Sequence, residues 1–250
     1  MRRVLVVADR RDEDPGWVGE RLCELGAELV TTYREELSAI TIDGFADRLV
    51  ERVVERAVSS AVDDVDLLLL LGSGGSVHDP ARADVVEAES ALVRQAVEAG
   101  VPVIGICYGA QLAAHAFGGS VRPVEHGEVG WFDITSSDDA LCPSGPWLQF
   151  HADAFTLPPG ARLLGTTGVG LQGFVLEPRA GRSGVIGWQF HPETTPATLL
   201  RWVAQEPEFV VRHGGDPDTL IRETSERAEA TRAATHRLVD AALRHLSQPI

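Results

Sequence analysis

The sequence predicts an α/β protein: a doubly wound, mostly parallel sheet flanked by helices, with a small antiparallel extension. Three observations carry this. Short, wholly apolar, β-branched runs recur through the first half, which suits strands buried on both faces of a parallel sheet. Segments with helical apolar spacing alternate with them. Beyond Gly118-Gly119 the texture changes to short strands separated by turn residues, which suits antiparallel pairing.

In chain order, Val4 to Ala8 reads as a buried strand, followed by a polar loop, a helix over roughly Gly16 to Leu25 and a strand from Glu28 to Thr32. A second helix is expected from about Gly44 to Ser60, with Phe45, Leu49, Val53, Val54 and Ala57 on one face. Asp66 to Leu71 is a further apolar strand, Arg82 to Ala99 an amphipathic helix, and Val101 to Ile106 a β-branched run that reads as a buried strand. Ala110 to Phe117 is helix-forming and stops at Gly118-Gly119. Short strands are then expected at Ser120 to Val124, Val129 to Thr135, Trp147 to Phe150, Arg162 to Thr166, Gly170 to Leu176 and Val185 to Phe190. A helix opens at Thr195-Pro196, and Asp216-Pro217 starts a long terminal helix striped by Leu220, Ile221, Thr224, Ala228, Thr235, Leu238 and Ala242. With no linker, repeat or low-complexity segment, residues 1–250 read as one domain. Its motif-bearing core covers about 65–203 and a helical extension about 204–250.

Composition narrows the function. A net charge of −15 argues against nucleic acid or an anionic membrane as partner. No apolar run approaches membrane-spanning length, and Met1-Arg2-Arg3 leads straight into the first strand, so the expectation is a soluble, cytoplasmic protein. Cys23, Cys107 and Cys142 are odd in number and scattered, which indicates neither a disulfide framework nor a metal site. No cofactor is expected.

The chemistry gathers at Gly105-Ile106-Cys107-Tyr108-Gly109. A cysteine between a buried strand and a helix, with small residues on either side, is the pattern of a nucleophile elbow. The helix behind it turns backbone N–H groups and a positive dipole end toward sulfur, which favours the thiolate. By itself the pattern fits a small apolar core cysteine equally well. The loop Gly72-Ser73-Gly74-Gly75 also follows a strand, and its glycines let backbone N–H groups approach a ligand. A phosphate cradle fits it poorly, because the Walker lysine and the G-x-G-x-x-G spacing are both missing; an oxyanion donor or a plain turn remains. His191 and Glu193 stand two residues apart just past a strand with Pro192 between them, so the carboxylate can hold one imidazole nitrogen while the other faces a partner. The histidines at 78, 115, 126, 151, 213, 236 and 245 lack comparable support, and His126-Gly127-Glu128 is too short a cluster for a metal site.

These residues resemble the class I glutamine amidotransferases, and within them stand-alone proteins similar to the glutaminase domain of GMP synthetase. The matching pieces are Gly105 to Gln111, Glu128-Val-Gly-Trp131, His151-Ala-Asp-Ala-Phe155 with Leu157-Pro-Pro-Gly160, Gln172-Gly-Phe174, and Gln189-Phe-His-Pro-Glu193. They keep the family's order over most of residues 65 to 203, whereas residues 1 to 64 match only in their strand and helix pattern. The resemblance implies a flavodoxin-like fold and a Cys107, His191 and Glu193 triad. It also implies an oxyanion hole from the N–H groups of Ser73 and Tyr108, and substrate contacts from Gly72, Gly74 and Gln111. The chain departs where the family usually reads Gly-Gly-Pro: here stands Gly72-Ser73-Gly74, which keeps the N–H but is expected to leave the loop freer.

The activity so implied is hydrolysis of L-glutamine to glutamate and ammonia through a glutamyl thioester. No pyrophosphatase signature follows the glutaminase region, so the ammonia is expected to pass to a separate synthetase or ligase. The competing expectations are a γ-glutamyl hydrolase acting on an amide or peptide, and a non-catalytic regulatory subunit on the same fold.

Overall fold

The computed structural model describes residues 3–38 and 65–247. The helix expected over Gly44 to Ser60 lies outside the described residues. The described strands are β1 (Arg3–Ala8), β2 (Glu28–Tyr33), β3 (Leu67–Leu70), β4 (Val103–Ile106), β5 (Val121–Ser136), β6 (Gly145–Phe155), β7 (Arg162–Thr166), β8 (Leu171–Leu176) and β9 (Val185–Trp188). They form one mixed sheet in the order β2-β1-β3-β4-β9-β8-β7-β5-β6. The pairs from β2 through β9 are parallel, and those from β9 outward are antiparallel.

Alternation along the central strands divides the core. Val4, Val6, Leu67, Leu69, Ile104 and Ile106 face one side, where they pack with Val18 and Leu22 of α1 (Gly16–Glu24). Leu5, Val7, Leu68, Leu70 and Val103 face the other, against Val86, Leu92 and Val93 of α3 (Ala83–Glu98) and Leu112 and Ala113 of α4 (Tyr108–Ala116). Helices on both faces leave no solvated side, which is why these strands are apolar throughout.

Between β2 and α3, α2 (Arg34–Ser38) follows β2 directly. The C-terminal helices are α5 (Pro196–Gln205), α6 (Pro207–Arg212) and α7 (Pro217–Leu246). Asp216 caps α7 by accepting from the Thr219 N–H at 2.8 Å, with Pro217 in its first turn. Leu238, Val239, Ala242 and Leu246 of α7 join the same core as α1, and Leu220 joins a third cluster with Leu199, Trp202 and Val203 of α5 and Val210 of α6. No helix among the described residues is long and apolar enough to cross a membrane.

Two differences from the sequence expectation have plain causes. The segments expected as separate strands at Ser120 to Val124 and Val129 to Thr135 are one strand, β5, whose pairing with β6 shifts register between Pro123 and Glu128. Pro123 has no N–H to give to the ladder, so the break falls beside it without ending the strand. The two helices not anticipated, α2 and α6, are 5 and 6 residues long, too short to display a helical period.

Candidate active site

At the carboxyl end of β4, Cys107 adopts φ 51°, and it is the one non-glycine residue with positive φ among those described. A left-handed conformation of this kind costs about 1–3 kcal/mol and persists only where its surroundings over-determine it. Here they do. A side chain on Gly105 would overlap the Gly109 backbone, and one on Gly109 would overlap the Leu70 carbonyl of β3, so both flanking glycines are demanded by close approach. The Cys107 N–H donates to Trp188 O at 2.7 Å, fixing the corner to β9. Tyr108 is the first residue of α4, so its N–H has no intrahelical acceptor. Cys142 gives the contrast: it is wholly buried in the core, and burial pushes its thiol up to about 12, as expected of an inert apolar cysteine.

The glycine loop after β3 is held by a buried ionic set that the sequence did not reveal. Arg34, 1% exposed, donates from Nε to Glu89 Oε1 at 2.8 Å and from Nη1 to Asp9 Oδ1 at 3.2 Å. The same guanidinium donates to Gly72 O at 3.0 Å and to Leu71 O at 2.6 Å, so it grips the backbone where the loop begins. Tyr108 OH donates to the other Glu89 oxygen at 2.7 Å, which ties the elbow to the same set. Burial, with Glu89 beside it, pushes the Tyr108 hydroxyl well up, so it remains a donor. Ser73 Oγ donates to Asp9 Oδ2 at 2.7 Å and accepts from the Gly75 N–H at 3.0 Å. The loop expected to be freer without proline is therefore tethered, its serine hydroxyl standing in for ring rigidity.

His191 comes from a turn. β9 ends at Trp188, so strand alternation does not bring His191 and Glu193 together; the Pro192 turn does, with His191 Nδ1–H donating to Glu193 Oε1 at 2.8 Å. The turn is held by three neutral bonds: His191 N–H to Leu148 O at 2.9 Å, Trp17 N–H to Glu193 O at 2.9 Å, and Thr235 Oγ1 of α7 to Pro192 O at 2.6 Å. The Trp202 ring meets the imidazole edge-on at 4.8 Å, and its indole N–H donates to Asp12 Oδ2 at 2.8 Å. Burial alone would push the imidazolium down; Glu193 and then Cys107 outweigh it, so His191 is held well above the usual histidine range. Its Nε2 is buried with no hydrogen-bond partner, leaving one nitrogen uncommitted beside a thiol.

Gly72, Ser73, Gly74, Cys107, Tyr108, Gln111 and His191 all line one cavity of about 1140 Å³, and Glu193 stands behind the imidazole. Gln111 Nε2 donates to Asp153 O and to Gln189 Oε1, each at 3.2 Å, while Gln189 Nε2 lies 3.7 Å from Cys107 Sγ. Sequence reasoning passed over His151, yet this buried residue lines the cavity, donates from Nδ1 to Asp153 O at 3.0 Å and has Nε2 3.2 Å from Glu128. The available signal was alternation along β6, which puts Gln149, His151 and Asp153 on one side of a strand paired with β5. A thiol, an imidazole backed by a carboxylate and an unpartnered helix N-terminal N–H in one cavity can attack a carbonyl carbon, move a proton and hold an oxyanion.

Such a sheet, with a strained cysteine at a strand-to-helix corner and a histidine–carboxylate pair on a neighbouring strand end, defines a class of α/β proteins with a thiol at their sheet crest. The sequence pattern of the family "Glutamine amidotransferase class-I" matches residues 47–203, and the chain belongs to that family. Among curated proteins it is similar to the glutamine-hydrolysing GMP synthase of Ralstonia pickettii, 34% identical over 146 residues, covering 52% of this chain and 26% of that protein. The corresponding enzyme of Thermomicrobium roseum is 34% identical over 140 residues, covering 53% of this chain and 24% of the other. The match thus spans about a quarter of the length of these relatives. Among solved structures, a glutamine amidotransferase from Thermotoga maritima superposes with TM-score 0.75 at 21% identity, over 96% of this chain and 97% of that one. One from Methylobacillus flagellatus gives 0.73 at 21% identity, over 99% and 96%. At that identity the two structures speak for the fold.

Proposed function

We propose that this chain, acting as a single unit, hydrolyses L-glutamine to glutamate and ammonia. The observation that carries the reading is that Cys107 and His191 line one cavity together with Ser73 and Tyr108, while Glu193 holds the imidazole from behind. Cys107 sulfur bonds to the side-chain amide carbon, and the oxygen that gains charge is held by those two N–H groups, each such donor contributing about 3 kcal/mol to the transition state. His191 gives its proton to the departing nitrogen, ammonia leaves and a glutamyl thioester remains. Water, deprotonated by His191, then adds to the thioester carbonyl; the carbon–sulfur bond breaks and glutamate departs. Glu193 keeps the imidazole in the productive tautomer. Gly72, Gly74 and Gln111 shape the substrate end.

The ammonia goes to a separate synthetase or ligase. Support for this comes from the relatives, in which the matching region is about a quarter of a longer glutamine-hydrolysing synthase. The test is glutamate release from L-glutamine by the purified chain with Cys107→Ala beside it. Release that disappears in the variant is expected; equal release from both would remove Cys107 from the reaction.

A second reading, cleavage of a larger γ-glutamyl amide or peptide, is favoured by the cavity itself. It extends past the thiol to Phe150, Trp202 and Phe209, leaving space for an apolar leaving group. Side-by-side kcat/KM values for L-glutamine and a series of γ-glutamyl amines decide between them.

A further inference from the structure

We infer that Arg82 is the carboxylate-binding residue of this cavity and receives the α-carboxylate of the γ-glutamyl substrate. The inference rests on the reading that a γ-glutamyl group is bound at Cys107, and it holds for either leaving group. Arg82 ends the 3₁₀ turn Pro80–Arg82, which Asp79 caps by accepting from the Ala81 N–H at 2.9 Å. Its guanidinium lies against Gly75, where any side chain would collide with it, and 5.6 Å from the Tyr108 ring centroid. Those contacts seat it between the Ser73 loop and the residue after the nucleophile.

Of the other arginines lining the cavity, one is committed and one is exposed. Arg34 spends its donors on Glu89, Asp9 and the backbone carbonyls of Gly72 and Leu71, and Arg11 is exposed. Asp9 is shared by Arg34 and Ser73, Asp12 is held by Trp202, and Asp153 accepts from Ser76 and pairs with His78 at 3.1 Å. Arg82 is half-buried, its Nε is buried without a hydrogen-bond partner, and it has no ion pair among the described residues. Glu89 lies within its field, but both Glu89 oxygens are taken by Arg34 and Tyr108. A half-desolvated guanidinium with open donors is matched by a planar carboxylate. In a glutamyl group the α-carboxylate carbon stands four C–C bonds, about 5 Å, from the carbon under attack. A glutamyl group that runs from Cys107 along the loop from Ser73 toward Gly75 carries its carboxylate to the side of the cavity where this guanidinium lies.

The test compares two reagents for the same sulfur. 6-Diazo-5-oxo-L-norleucine carries the α-carboxylate; iodoacetamide does not. The ratio of their rates of Cys107 alkylation, measured on folded protein in one preparation, cancels any change in the intrinsic reactivity of the thiol. Arg82→Gln is expected to lower that ratio about 10- to 100-fold, the loss of one charge-assisted carboxylate contact, with Arg82→Lys recovering part of it. In turnover, Arg82→Gln should raise KM for L-glutamine more than it lowers kcat, and should erase the preference of the wild type for L-glutamine over its α-carboxamide. A role as mere counter-charge to Glu89 would move neither the ratio nor that preference. If the wild type is labelled by the diazoketone and Arg82→Gln leaves ratio and preference unchanged, the Arg82 assignment is overturned while the glutaminase reading stands. A wild type neither labelled by the diazoketone nor active on any γ-glutamyl compound overturns both.

Discussion

The two halves of the candidate site are held by opposite kinds of force. On the nucleophile side, Asp9, Arg34, Glu89 and Tyr108 form a buried ionic set that fixes both the glycine loop and the elbow helix. On the histidine side, the turn from His191 to Glu193 is held from behind by neutral hydrogen bonds to three separate elements and by the edge of Trp202. Buried charges are costly to leave unpaired, so the first half responds steeply to change. Neutral hydrogen bonds contribute about 0.5–1.5 kcal/mol each, so the second half responds in steps. Under the proposed reaction, a loop that presents an N–H at a fixed point gains from the stiff arrangement, while an imidazole that moves protons is served by one strong partner and several weaker ones.

The sharpest way to break this comparison is Arg34→Met. It strands Glu89 in the interior and takes a partner from the part-buried Asp9, and a loss of about 3–5 kcal/mol is expected from urea unfolding. A loss under about 1 kcal/mol would show that the nucleophile side does not depend on its charges.

Glu193→Gln probes the other half. It should lower kcat for glutamine by roughly 10²- to 10⁴-fold while keeping a measurable remainder, because orientation and the imidazolium are weakened but the thiol stays. The same variant has a pH signature. Since the His191 pKa is raised in the folded protein, its pairing contributes stability that is full below the unfolded value of about 6.5 and is lost as pH rises through the folded value. The stability difference between wild type and Glu193→Gln should therefore be largest in mild acid and shrink in alkali, and the imidazole resonance should titrate lower in the variant. A difference growing with pH would contradict the assignment.

The smallest effect is expected from Thr235→Val, which removes one neutral bond to Pro192 O at nearly constant volume. About 1 kcal/mol of stability and a modest fall in kcat should follow, both restored by Thr235→Ser. An effect as large as that of Arg34→Met would erase the distinction between the halves.

Much of this was legible beforehand because it is local. The apolar runs that became β1, β3, β4 and β9, the cysteine between Gly105 and Gly109, and His191-Pro192-Glu193 are each patterns within a few residues. The long terminal helix was also read from its start signal and stripe, but not its task of holding the histidine turn through Thr235. Arg34 gave no signal, since its partners Asp9 and Glu89 lie 25 and 55 residues away and a lone arginine in sequence reads as a solvated charge. His151 was set aside for the same reason; its support is Glu128, opposite it on a neighbouring strand.

The sequence by itself determined which segments bury themselves, where the chain turns sharply and which residue types meet at those turns, because periodicity and steric demand act over a few bonds. Only the tertiary structure decided that the serine loop is tethered, that Cys142 is inert where Cys107 is strained, and that a half-buried guanidinium in the cavity is left with open donors. Those properties depend on which charges and carbonyls folding brings within about 3 Å of one another, and hydrogen bonds of that length join residues whose separation along the chain carries no pattern.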